Sequence, residues 1–206
     1  MPAASQKKSP KRRVRQARQS RSKATVNAIV EAAARILADD GWRGVNTNAI
    51  ARRAGVSVGS VYEYFPDKQA ILAVIIDRHL AAGEAMLADA ANGLSGRLEI
   101  DDIVSALVFG FIRLHQDDPR LHRVLAGEVP ISSAQRERIE ALRSRIIALV
   151  AKVLSEHVKE AELKATLLVD TADALTHRWI VDQVGLPASA DIMVAQASKM
   201  LKGYLS

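Results

Sequence analysis

Apolar positions recur along the chain at three- and four-residue spacing, the period of an amphipathic helix. Val26, Ile29, Val30, Ala33, Ile36 and Leu37 make the first such face. Asp40-Gly41 after it reads as a stop, because glycine accepts the positive φ of a helix C-terminus. Asp67 suits an N-cap for a long helix carrying Ile71, Leu72, Ile75, Ile76, Leu80, Met86 and Leu87. Gly93 and Gly96 interrupt the pattern. The next helix runs from about Asp101 to Gln116, before Pro119, and a short one reaches Pro130. Ser132 and Gln135 have the spacing of a capping box at the head of a helix with Ile139, Leu142, Ile146, Leu149, Val150 and Val153. A helix from about Glu160 to Val184 stops at Gly185 and Pro187. Ser189 caps the last one, which carries Met193, Met200, Leu201 and Tyr204. No sustained period-two alternation and no hairpin turn are present, so the pattern predicts an all-α fold of about nine helices.

The stretch Thr47–Lys68, TNAIARRAGVSVGSVYEYFPDK, is the most informative. Thr47 is read as an N-cap, with Ile50 and Ala54 inward and Arg52 and Arg53 outward. Gly55 supplies the φ of a tight turn. Val56 plugs the corner, and Ser57 caps a second helix whose back is Val61 and Phe65, four residues apart. Its front is Val58, Gly59, Ser60, Tyr62, Glu63 and Tyr64. Two short helices about a glycine turn form a helix-turn-helix, a motif whose second helix enters the major groove of DNA.

Charge strengthens that picture. Residues 1–68 hold fourteen Lys and Arg against five Asp and Glu, a net +9, whereas residues 69–206 carry a net −3. Such asymmetry points to a polyanion-binding face attached to a different kind of domain. Residues 1–22 are basic, polar and poor in apolar side chains, and are read as a disordered arm available to phosphates or a minor groove, or as a solubilising tail. No signal-peptide pattern is found, and a cytoplasmic location is expected. Cysteine is absent, which excludes disulfides and thiolate metal centres. The longest uncharged apolar run, Ile103–Ile112, has ten residues, and a membrane span needs about 20.

Enzymatic readings fare poorly. Gly55-Val56-Ser57-Val58-Gly59 has the form of a hydrolase nucleophile elbow, but that motif follows a strand and here a helical pattern precedes it. His79, His115, His122, His157 and His177 show no metal-ligand spacing or close pairing along the chain. No catalytic residue, no metal and no cofactor are therefore expected.

Residues 25–75 resemble the TetR/AcrR family of bacterial transcriptional regulators. The resemblance rests on Ile29, Ala32, Ala33, Gly41, Thr47, Ile50, Ala51, Ala54-Gly55-Val56-Ser57, Gly59-Ser60-Val61-Tyr62, Tyr64-Phe65, Lys68 and Leu72. Trp42 stands where the family often has a bulky aromatic, and Glu63 is an unexpected acid in a face meant for DNA. The resemblance implies a helix-turn-helix domain over 23–68 and a ligand-binding, dimerising helical domain over 69–206. It further implies a homodimeric repressor on a palindromic operator, released by a small-molecule effector.

Base-edge contacts are expected from Val58, Ser60 and Tyr62, with the small Gly59 of the same DNA-binding face letting the helix sit deep, and backbone contacts from Arg21, Lys23, Thr47, Arg52, Tyr64 and Lys68. Effector contacts are expected from His79, Phe109, Arg113, His177 and Trp179. The few aromatics of the larger domain favour a small or aliphatic effector. Leu167, Thr171, Leu175 and Trp179, with Met193, Ala197, Met200 and Tyr204, would pair two subunits as a four-helix interface. The competing reading is a helical protein that sequesters a small molecule on the same scaffold without reading DNA.

Overall fold

The computed structural model describes residues 10–93, 99–116, 118–182 and 189–205. Among the described residues there are nine α-helices and no strand: α1 Pro10–Gly44, α2 Thr47–Ala54, α3 Val58–Tyr64, α4 Lys68–Gly93, α5 Ile100–Gln116, α6 Pro119–Gly127, α7 Ser133–Leu154, α8 Ala161–Thr176 and α9 Ala190–Leu205. A π-helical turn, His177–Val181, continues α8. No helix of the described residues is long and apolar enough to cross a membrane.

The expected signals sit where the helices begin and end. Gly41 breaks α1 with φ 68°. Asp67 caps α4 by accepting the Ala70 N–H at 2.8 Å. Ser132 and Gln135 form a reciprocal capping box. The Ser189 hydroxyl accepts from the Ile192 N–H at 3.4 Å. Gly96, Val184, Gly185 and Pro187 lie outside the described residues. The basic arm departs from expectation: it is helical from Pro10 onward rather than unstructured to residue 22. Proline tolerates the first helical turn, where its missing N–H would find no partner, and the Arg, Lys, Gln and Ala that follow are strong helix formers.

The chain divides into two compact units, Met1–Ile75 and Ile76–Ser206, with the boundary inside α4. In the first unit Ile29, Ala33, Leu37, Ile50, Val61, Ile71 and Leu72 are buried. In the second, the core is built around α5: Val104, Val108 and Ile112 pack with Leu154, Leu168, Val169, Ala172 and Leu201. Two bidentate ion pairs brace that unit. Arg138 of α7 grips Glu84 of α4 with both bonds at 2.7 Å, and Arg143 of α7 grips Asp170 of α8.

Candidate nucleic-acid interface and effector cavity

The first turn of α2 is capped by Asn46, one residue before the expected Thr47. Asn46 has extended backbone and its Oδ1 accepts the Ala49 N–H at 2.9 Å. Both residue types make good caps, and the backbone conformation selects between them. Thr47 is thereby freed for another contact: its hydroxyl lies 3.2 Å from the Tyr62 hydroxyl, tying the start of α2 to α3.

The turn after α2 is a Schellman motif. Val56 N–H bonds the Ala51 carbonyl at 3.0 Å and Gly55 N–H the Arg52 carbonyl at 3.4 Å, around a left-handed Gly55 at φ 69°. Ser57 then caps α3, accepting the Ser60 N–H at 2.9 Å. Val61 and Phe65 are buried, as the four-residue spacing requires, while Tyr62 is 54% and Val58 37% exposed. Gly59 and Glu63 are exposed beside them, and Ser60 and Tyr64 are half-buried. The helix therefore presents an apolar-and-hydroxyl face to solvent from a well-capped, tightly turned base.

The basic residues divide into two groups. Arg21, Lys23 and Arg52 are exposed. Lys68 is engaged inside its own unit: its ammonium lies 4.1 Å from the centre of the Trp42 ring and donates to the Val45 carbonyl at 3.1 Å. Both contacts tie the start of α4 to the segment that follows Gly41. Arg53 is paired with Asp39 at 3.0 Å.

The larger unit contains a cavity of ≈ 410 Å³ walled by α4, α5 and α7, within the usual range for small-molecule sites. Its lining is aliphatic apart from Phe111, and Asp102 is its single charged residue. Small residues on facing helices, Gly83, Ala90, Ala106 and Gly110, leave the space that Leu107, Leu142 and Val153 enclose. The Arg138–Glu84 pair clamps α4 to α7 next to Gly83. That bond holds the Glu84 carboxyl below its ordinary range and the Arg138 guanidinium above its own.

None of the five residues expected to line the effector site lies on this cavity. Phe109 is 53% exposed and borders an open groove between α5 and α9. Arg113 is exposed. Trp179 packs half-buried against the core. Polar and aromatic side chains are conspicuous in a sequence, whereas a cavity made by glycine and alanine facing each other exists only once the helices pair.

His79 and His177 belong instead to a cluster that spacing along the chain did not reveal. His79 of α4, His115 of α5, His122 of α6 and His177 of the π turn converge, with His115 and His122 ring centres 4.0 Å apart and those of His79 and His122 4.7 Å apart. The Nε2 atoms of His122 and His177 are separated by 3.3 Å. The His115 Nδ1 is 2.6 Å from the Phe111 carbonyl. Burial, reinforced by the neighbouring imidazoles, pushes His115 down to about 4 and His122 to about 2; burial lowers His79 as well. Asp173, whose Oδ1 lies 4.0 Å from His115 Nε2 and 3.9 Å from His177 Nε2, is raised chiefly by burial.

Residues 29–75 match the family model of bacterial regulatory proteins of the TetR family, and residues 99–205 match that of the tetracyclin repressor-like C-terminal domain. Among curated proteins the chain is similar to the HTH-type transcriptional regulator UidR of Escherichia coli, 22% identical over 170 residues that cover 80% of each chain. Its fold is that of the fatty acid degradation regulator FadR of Bacillus halodurans, with a TM-score of 0.66, 19% identity and coverage of 97% and 98% of the two chains. It is likewise that of FadR of Bacillus subtilis solved in complex with stearoyl-CoA, with a TM-score of 0.63, 17% identity and coverage of 84% and 96%. With the helix-turn-helix matched at one end and the larger unit, more than half of the sequence, at the other, the chain belongs to the TetR family of helix-turn-helix transcriptional regulators.

Proposed function

We propose that the protein is a homodimeric repressor that reads a near-palindromic operator and lets go of it when an apolar, chain-like small molecule fills the α4–α5–α7 cavity. The observation that carries the DNA half is the exposed face of α3. Tyr62, 54% exposed, is its most exposed large apolar side chain, and no acid other than Glu63 lies in the motif between Thr47 and Phe65. Val58, Gly59, Ser60 and Tyr62 meet base edges in this reading. Arg21, Lys23, Thr47, Arg52 and Tyr64 meet phosphates, fixing register without reading sequence. Lys68 contributes through the Trp42 and Val45 contacts that support the motif. In a dimer, the two recognition helices address half-sites about 34–36 Å apart, one turn of the duplex.

The effector half rests on the cavity's aliphatic wall. A regulator of the same fold has been solved with stearoyl-CoA, and an acyl chain is the class of molecule that such a wall accommodates. α4 lends Gly83, Met86, Leu87 and Ala90 to the cavity, while its first turns bury Ile71 and Leu72 in the DNA-binding unit. It is the element through which filling the cavity would disfavour the DNA-bound state. The effector acts only to the extent that it binds the released state more tightly.

Selection of random double-stranded DNA on the purified protein at about 150 mM salt tests the reading. A palindromic consensus, bound about 10³-fold or more above random sequence, is the expected result. If the dimer neutralises about 6–10 phosphates, affinity for that consensus falls as roughly the fifth to ninth power of salt concentration. Recovery of unspecific sequences only, or a salt slope near zero, would overturn it.

A further inference from the structure

We propose that His115, His122 and His177 form a binding site for a divalent transition-metal ion of the zinc class, with Asp173 as the acidic group beside it. The three imidazoles come from three elements, the consecutive helices α5 and α6 and the distant π turn, and one ligand atom of each lies within 4.8 Å of the others. Zinc–imidazole bonds of about 2.0–2.1 Å at a tetrahedral angle place neighbouring nitrogens about 3.3–3.4 Å apart. The Nε2 atoms of His122 and His177 are 3.3 Å apart.

The surroundings are those a metal-binding histidine needs. His115, 2% exposed, directs Nδ1–H at the Phe111 carbonyl at 2.6 Å, which leaves the Nε2 lone pair facing the cluster. Such a bond from the other ring nitrogen fixes tautomer and ring orientation in metal sites. The Asp173 carboxylate, within 4.0 Å of two of the ligand nitrogens, supplies negative charge to offset the ion's. His79 closes the side of the cluster next to His122.

The backbone is arranged for the same convergence. His177 opens the π turn, and such turns are rare and concentrated at functional sites. Two features hold it. The Thr176 hydroxyl bonds back to the Ala172 carbonyl at 2.7 Å. Arg123, adjacent to His122, donates two bonds to the Val181 carbonyl at 2.6 and 2.8 Å. Packing alone gives no reason to bury mutually adjacent imidazoles with the His122 Nδ1 unpartnered, an arrangement that costs desolvation. Imidazole ligands select zinc, copper, nickel or iron over magnesium and calcium, which take oxygen ligands.

The test uses the full-length, tag-free protein after chelator treatment, titrated with Zn²⁺ by calorimetry and with Co²⁺ by visible absorption. One ion per chain is expected, together with ligand-field bands of a tetrahedral Co²⁺ site and a Zn²⁺-dependent rise in melting temperature. His122→Ala and His177→Ala should each weaken Zn²⁺ binding by at least about 100-fold and abolish the thermal shift. His157→Ala, outside the cluster, should leave both unchanged. Circular dichroism of the metal-free variants checks that each is folded, and His177, 31% exposed, is the safer position to truncate. Zn²⁺ affinity weaker than about 100 μM, or equal affinity in wild type and both cluster variants, overturns the site. These readouts involve neither DNA nor the acyl effector, so the site stands or falls independently of the proposed repressor.

Discussion

Asn46 and Ser57 hold the two turns from which the exposed face of α3 is built. Each accepts a 2.9 Å bond from a backbone N–H of the helix that it starts. Replacing either with alanine is expected to lower stability by about 0.5–2 kcal/mol in urea unfolding. Thr47→Ala should fall within about 0.5 kcal/mol of wild type, since its hydroxyl serves Tyr62 rather than an orphaned amide. A large loss for Thr47 and none for Asn46 would reverse the assignment of the cap. Ser57, Gly55, Val61 and Phe65 were legible because each has a local physical task that its residue type discloses. Asn46 against Thr47 was not, because two adjacent residues of similar capping ability differ only in the backbone that tertiary packing imposes. Lys68 shows the same limit. A lysine after a recognition helix reads as a phosphate contact, and only the fold reveals Trp42 and Val45 beneath it.

At the scale of elements, α8 and α9 carry apolar residues that their own unit leaves uncovered. Leu163 and Leu167 on α8 are 55% and 43% exposed, and Ile192, Met200 and Tyr204 on α9 are 55%, 53% and 45% exposed. Of the row expected at a dimer interface, Leu167, Met200 and Tyr204 face solvent. Ala197 is buried, and Leu175, Trp179 and Met193 pack half-buried against the chain's own core. Both helices are apolar on more than one side, and spacing alone does not say which side the unit's own core takes. The same blindness concealed the histidine cluster, since its members meet through packing of α4, α5, α6 and a π turn whose altered register no spacing rule anticipates. If the uncovered face is the subunit interface, Leu167→Glu or Met200→Glu places charge where apolar surface must be buried. Light scattering at micromolar concentration should then report monomers for either variant and a dimer for wild type. A dimer that survives both substitutions would place the interface elsewhere.

For the whole molecule, the proposed switch requires that one cavity bias a DNA-binding surface in the other unit, and the required bias can be stated. Moving a population from 99:1 to 1:99 takes about 10⁴-fold tighter effector binding to the released state, about 5.5 kcal/mol. At about 25 cal/mol per Å² of apolar surface removed from water, that corresponds to roughly 220 Å² more burial in one state than in the other. A long acyl chain has such surface to bury and a compact polar metabolite does not, which is why the aliphatic wall favours the chain-like class. Gly110 offers a way to separate the two functions. A Cβ there would meet nothing closer than the Met86 Cε at 4.0 Å, and Gly110 lines the cavity, so Gly110→Leu is expected to take up part of its empty volume. The substitution also removes a glycine from a helix interior, a gain of up to about 1 kcal/mol. The expected variant melts at or above the wild-type temperature and binds the selected operator with unchanged affinity, yet is no longer released by long-chain acyl compounds in a gel-shift titration. Release that persists at wild-type effector concentrations would mean that the effector acts from another site. Loss of operator binding without effector would mean that filling the cavity is itself the inducing event, with the leucine standing in for the acyl chain.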